Sequence, residues 1–226
     1  MPPGRRLGLD YYVLDKRETN ERRKRLLIEF SMKSLYLCVL CLGVGGLGVA
    51  QELERGIEMY RKNDFAQAAA TLRPYVEKNP GNARANLYLG LALVEQGKVD
   101  DGAQFLVKAD EMEPGGESKA GMARLYVEQK NYEKADEALA DASGEEVPYV
   151  RGLLELNRKQ FEDAARDLES YSQSHPNSAY AHYYAGMAYN GAKRPDKMLT
   201  HFEIFIKMKP DAPEARKVQS VLRAVK

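Results

Sequence analysis

Four glycines set the frame of this chain. Gly56 and Gly90 are 34 residues apart, and so are Gly152 and Gly186. Other residues keep the same step. Phe65, Val99, Phe161 and Pro195 stand nine residues after each glycine, and Ala68, Gly102, Ala164 and Met198 stand twelve after. Pro80, Pro114, Pro176 and Pro210 close each stretch at twenty-four. A fifth, shorter stretch between the two pairs has Ala123 in the glycine place, then Tyr132 and Ala135, and no closing proline. A period of this length means that one supersecondary unit is copied along the chain and stacked on its neighbours.

Each unit reads as two amphipathic helices, with apolar residues at three- and four-residue spacing. In the second unit Leu87, Leu89, Leu91, Leu93 and Val94 face inward, followed by Phe105, Leu106 and Ala109 in the partner helix. Small residues such as Gly90 and Ala68 let the two helices approach. Asn63-Asp64, Gln96-Gly97, Lys130-Asn131 and Arg158-Lys159-Gln160 mark the turns within units. Asn79-Pro80-Gly81-Asn82 and His175-Pro176-Asn177-Ser178 break between units and cap the helix that follows. The predicted units are residues 52–82, 83–115, 116–144, 145–178 and 179–212. Residues 213–226 form a predicted capping helix with Pro213 in its first turn. It turns Val218, Val221, Leu222 and Val225 inward and Arg216, Lys217, Arg223 and Lys226 outward.

A small residue, an aromatic nine later, Ala three after that and Pro at the unit's end: this pattern resembles the tetratricopeptide repeat family over about residues 52–212. The resemblance implies an all-α, right-handed solenoid of about five helix-turn-helix repeats plus the capping helix, with no strand. There are departures. The family's large aromatic in the first helix is replaced by Glu52, Asn86, Lys119, Pro148 and His182. The third unit is about five residues short, and Pro195 takes the aromatic's place in the last unit.

The first fifty residues read differently. They hold nine Lys/Arg and five Asp/Glu, a balance of +4, against −3 for residues 51–226. Ser34 to Ala50 carries no charge, contains four glycines in its second half, and ends in small residues at Gly48 and Ala50. With Met32-Lys33 ahead of it, the stretch 32–50 has the three parts of a secretory signal, with cleavage expected after Ala50. Residues 1–31 are a basic extension, with Arg22, Arg23, Lys24 and Arg25 in a row. Either translation starts at Met32, or the extension is the cytoplasmic tail of an uncleaved anchor. Both readings send residues 51–226 across the membrane, to a bacterial periplasm or another secretory compartment. Membrane contact is then confined to residues 33–50, and only in the anchored form. Cys38 and Cys41 have redox spacing but belong to the apolar run, and no thiol follows Gln51.

Chemistry is sparse. A net charge of +1 does not suit a nucleic-acid binder. The histidines are His175, His182 and His201, none with a histidine at metal-ligand spacing. His175 reads as a solvated loop residue, and His182 and His201 as packing or surface residues. Asp100-Asp101 and Glu145-Glu146 read as helix-start charges that suit the macrodipole. Asp110, Glu111 and Glu113 match no calcium loop. No catalytic residue, cofactor or metal site is predicted.

The resemblance implies that the first helix of each unit lines a concave groove. The partner-binding residues expected there are Tyr60, Leu87, Leu91, Arg124, Tyr149, Leu153, Tyr180, Tyr183, Met187 and Asn190. The family's clamps for a terminal carboxylate use Lys and Asn at inner positions. Here those places hold Leu53, Ile57, Leu87 and Leu91, which implies an apolar or aromatic peptide instead. The expectation is a non-catalytic adaptor in the cell envelope. The alternative is an accessory or enzyme acting on an envelope substrate such as a carbohydrate.

Overall fold

A computed structural model describes residues 50–225. The predicted signal segment and the extension before it lie outside the described residues, apart from Ala50. The described residues form five helix pairs and a last helix. Unit one is α1 (residues 50–61) and α2 (Phe65–Lys78). Unit two is α3 (Ala83–Glu95) and α4 (Val99–Met112), and unit three is α5 (Gly116–Glu128) and α6 (Tyr132–Ala140). Unit four is α7 (Val147–Asn157) and α8 (Phe161–Ser174), and unit five is α9 (Ala179–Gly191) and α10 (Pro195–Met208). The chain ends with α11 (Ala215–Val225). Among these residues the only bridge-like pairing is an isolated one, Gly116 with Ala142.

Side chains at the expected turns start the helices. The carboxyl and amide oxygens of Asp64, Asn82 and Asn131 accept the N–H of Gln67, Ala85 and Lys134, and the Ser178 hydroxyl accepts that of Ala181. Each satisfies one of the amides a helix leaves unpaired at its start. Every turn within a unit passes through one left-handed residue: Asn63, Gly97, Lys130, Lys159 and Lys193, with φ between 57° and 76°. The helix pairs then close tightly. A β-carbon added at Gly90 would lie 2.7 Å from Leu106, and Gly56, Gly152 and Gly186 meet Leu72, Leu168 and Phe202 in the same register. The periodic glycines are therefore contact points at which the two helices of a unit touch.

The first helices carry the core. Eleven residues of α3 are buried but only three of α4, so the first helices lie inside and the second helices outside. The shortfall of unit three falls on α6, which has nine residues where α2, α4, α8 and α10 have fourteen. The helix α11 packs on α10 and starts two residues later than the sequence predicts, because Pro213 and Glu214 form a turn. Val218 is buried and Val221 and Leu222 are half-buried, but Val225 is exposed, so the predicted inward stripe does not run to the end of the helix.

The array also closes on itself. The Arg61 guanidinium in unit one donates to the Glu145 carboxylate before α7, with Nε 2.9 Å from Oε1. Asn63 Oδ1 accepts the Tyr180 N–H at 3.1 Å and the Ser178 hydroxyl at 3.4 Å. The Lys209 ammonium donates to the Asn63 carbonyl at 3.3 Å, and the rings of Phe65 and Tyr180 lie 5.9 Å apart. Unit one thus meets units four and five, and the inner helices face a shared interior.

Candidate functional site at the closed inner face

Two charged clusters occupy that interior. Arg124 on α5 is 2% exposed. Its Nε donates to Glu95 on α3 at 2.8 Å, and a terminal nitrogen donates to Glu128 one turn along α5 at 2.6 Å. Burial opposes the charge, but Glu95 and then the rings and carboxylates around it win, holding the guanidinium well above its ordinary range. A buried arginine needs such partners, since removing one leaves an uncompensated charge.

The second cluster surrounds the start of α7. Glu146 is 8% exposed and accepts the Tyr171 hydroxyl at 2.8 Å. Burial raises its pKa to about 7, against the opposing effect of that hydrogen bond and with a further push from Glu145 and Glu95. The neighbouring Glu145 goes the other way: its bonds to Arg61 and His175 outweigh burial and lower it. The pair therefore does not act as two helix-start charges. Glu146 makes no capping bond, and Glu145 reaches across to unit one. His175 is not a free loop residue either. It stacks on Tyr171 with centroids 4.1 Å apart and an interplanar angle of 15°, and its Nε2 lies 3.3 Å from Glu145.

Aromatic rings fill the rest. Tyr60 packs against Tyr88 at 5.4 Å and Phe65 at 5.6 Å, and Tyr149 packs against Tyr171 at 5.0 Å and Tyr184 at 6.1 Å. Burial raises the Tyr60, Tyr149 and Tyr184 hydroxyls well above the usual phenol range.

Most of the expected groove residues are buried in the array. Tyr60, Leu87, Leu91, Arg124, Tyr149, Leu153 and Tyr183 are buried. Tyr180 and Met187 are half-buried, and Asn190 alone is exposed. Tyr180 is held at the join with unit one, its hydroxyl 3.2 Å from Glu214 and pushed up to about 12 by burial and that carboxylate. Tyr183, Met187 and Asn190 line a cavity of about 90 Å³ with Phe202, Lys217, Val218 and Val221, so α11 covers that end. Glu95, Glu146, Tyr171 and Arg61 were not expected here. Their only sequence signal was position in the period: Arg61 and Glu95 find their partners in other units, and Glu146 meets Tyr171 across the helix pair of unit four.

His182 on α9 and His201 on α10 are both buried, with their Nδ1 atoms 3.0 Å apart. One must donate and the other accept, so the two rings cannot both be protonated while the contact holds. Burial, with His182 adding to it, lowers His201 to about 4. The pair is a packing contact between helices.

One arrangement imitates a nucleophile, a base and an acid: Ser174 Oγ lies 3.1 Å from His175 Nδ1, and His175 Nε2 lies beside Glu145. It sits at the C-terminal end of α8, with the Ser174 hydroxyl also 3.0 Å from the Tyr171 carbonyl. The negative end of a helix disfavours an oxyanion, so the arrangement suits a cation better than acyl transfer.

Residues 53–117 and 149–213, more than half of the chain, match the family model described as tetratricopeptide repeat. Peroxisome biogenesis protein 5 of Arabidopsis thaliana is 25% identical over 170 residues, covering 70% of this chain and 22% of that protein. The chain thus spans about a fifth of that relative's length. Among solved structures, TTC0263, a thermophilic TPR protein in Thermus thermophilus, is 16% identical with a TM-score of 0.58, covering 77% of this chain and 98% of that one. YrrB, described as a TPR protein with an unusual peptide-binding site, is 18% identical with a TM-score of 0.44, covering 75% and 90%.

Proposed function

The chain belongs to the tetratricopeptide repeat family, and from that premise we propose that it is a non-catalytic adaptor for a protein or peptide partner in the cell envelope. The observation that carries the reading is the family match at both ends of the array, since stacked repeats of this kind build extended concave binding faces. The composition of that face supports it. Tyrosine offers a large contact area and a polar tip at low entropic cost. Tyr60, Tyr149, Tyr180 and Tyr183 all belong to first helices or to residues next to them. The envelope location rests on the uncharged run from Ser34 to Ala50 and its small-residue end.

Two experiments test this reading. Affinity capture from the envelope fraction of the source organism, followed by titration of the recovered protein, should give a stoichiometric complex. A chain that retains no protein from that fraction contradicts the adaptor. Mass spectrometry of the native N-terminus should find a chain beginning at or near Gln51, and a cytoplasmic protein beginning at Met1 contradicts export.

A second reading, an enzyme acting on an envelope carbohydrate, has one observation in its favour. Glu145 and Glu146 are pushed apart in acidity, as paired catalytic carboxyls are. Glu146 is buried, however, and its carboxyl group is taken up by the Tyr171 hydroxyl. Glu146→Gln separates the two readings: it abolishes turnover in an enzyme and leaves partner capture intact in an adaptor.

A further inference from the structure

We infer that the join between unit one and units four and five is a latch, and that the inner face becomes accessible when it opens. Elsewhere, apart from the slighter α6–α7 contact, neighbouring units are held by helix faces. Neighbouring inner helices interlock so closely that a β-carbon on Gly121 of α5 would lie 2.5 Å from Leu87 of α3. Outer helices pack on the next unit along their length, α2 on α3, α4 on α5 and α8 on α9. The join is built differently. The bonds described across it come from side-chain tips and one turn: the Arg61–Glu145 ion pair with His175 behind it, Asn63 accepting from Ser178 and Tyr180, Lys209 on the Asn63 carbonyl, and the Phe65–Tyr180 ring contact.

These contacts are weak for a physical reason. The Arg61 and Glu145 side chains are 38% and 33% exposed, so water competes for the pair and salt screens it. The remaining polar bonds can be exchanged for bonds to water at little net cost. Separating the two sides breaks no helix, because Asn63 lies in the turn between α1 and α2, and Ser178 lies just before α9. Two clefts flank the join and are lined from both sides of it. One, of about 230 Å³, lies between Arg61 and Lys62 and the segment from Ser174 to Ser178. The other, of about 670 Å³, lies between Asn63 to Ala66 and the segment from Met208 to Pro213. A partner can enter at either cleft and part the join. Behind it lie Tyr60 and, close enough to raise that hydroxyl, Glu146, Glu95, Tyr171 and Tyr149.

The latch rests on the closed geometry alone. Its use for partner entry rests on the adaptor reading. The chain has no tryptophan, so Phe65→Trp puts a lone indole at the join. In the full chain carrying this change with Cys38→Ser and Cys41→Ser, Arg61→Cys and Glu145→Cys remove the ion pair and allow it to be replaced by a bis-maleimide bridge. Acrylamide quenching of the indole should rise about threefold in the unbridged pair variant over its parent, as loss of a half-exposed ion pair allows. It should return to the parent value on bridging, with helicity unchanged by circular dichroism. Equal quenching in the bridged and unbridged forms overturns the latch. Should the pair variant lose helicity, Glu145→Gln poses the same question, and quenching equal to the parent overturns the latch there too. Partner capture distinguishes the two claims. Equal capture by bridged and unbridged chains removes the gating role and leaves the adaptor standing, whereas capture by neither removes the adaptor.

Discussion

Glu146 is a carboxyl group that the fold keeps from water, and its acidity shows what that requires. Its folded-state pKa is about 7, raised from 4.5 chiefly by burial. The folded chain therefore holds a proton that the unfolded chain has released. That contribution to stability is complete below about pH 4.5 and is lost as pH rises through about 7. The groups around it are Tyr171, Glu145, Glu95 and Arg61. Glu146→Gln keeps an acceptor for the Tyr171 hydroxyl and removes the titration. We predict that the variant melts at the same temperature as its parent in mild acid and higher than its parent above about pH 7. A variant whose advantage is the same at every pH contradicts this account of Glu146. His201 works in the opposite sense. Its pKa is lowered to about 4 from 6.5, so its contribution is complete above about pH 6.5 and lost as pH falls toward 4. Neither behaviour was legible in the sequence. Glu146 reads as a helix-start charge and His201 as a packing or surface residue, and neither reading gives how deeply the partner helix buries the group.

At the scale of the helix pair, the sequence was far more explicit. The glycine period, the cap residues and the turns are local features, and the structure uses each where the pattern puts it. Gly152 meets Leu168 as Gly90 meets Leu106, with a hypothetical β-carbon 2.6 Å from Leu168 Cγ. Gly152→Ala therefore forces the Leu168 side chain, or α8 with it, to move. It should destabilise the chain by about 1–3 kcal/mol, read from the urea midpoint. An unchanged midpoint would show that the contact is slack. The turns point the other way. Lys159 adopts φ 63° and its side chain is exposed, so its Cβ bears the left-handed strain with no compensating contact in view. Lys159→Gly should stabilise by up to about 1 kcal/mol, and a loss of stability would contradict this reading of the turn. The period alone could have suggested this position, since Asn63 and Gly97, residues that tolerate positive φ, occupy the equivalent places.

The whole molecule is where sequence reasoning stopped. A repeat pattern fixes what each unit contacts before and after it, and so it predicts a solenoid. It does not fix how far the solenoid turns. Here five units bring Asn63 to Tyr180, 117 residues away. No local signal announces that contact. Asn63 reads as a turn residue, Glu145 as a charge before a helix, and Tyr180 as a groove anchor. The short α6 belongs to the same problem: the sequence shows that unit three is short but not what that does to the path of the array. Closure also changes what the tyrosines of the inner face are. In an open array they would be a ready contact surface. In this one most of them are core, and under the proposed latch a partner meets them only after the two ends part. The most direct test is a distance between spin labels on Lys62 and Asn177, two exposed residues that line the same cleft from opposite sides of the join. With Cys38 and Cys41 changed to Ser, Lys62→Cys and Asn177→Cys carry the labels. A closed array gives a single short separation that lengthens when Arg61→Glu is added. A long, broad distribution in the parent chain, unchanged by Arg61→Glu, would show that the units form an open superhelix.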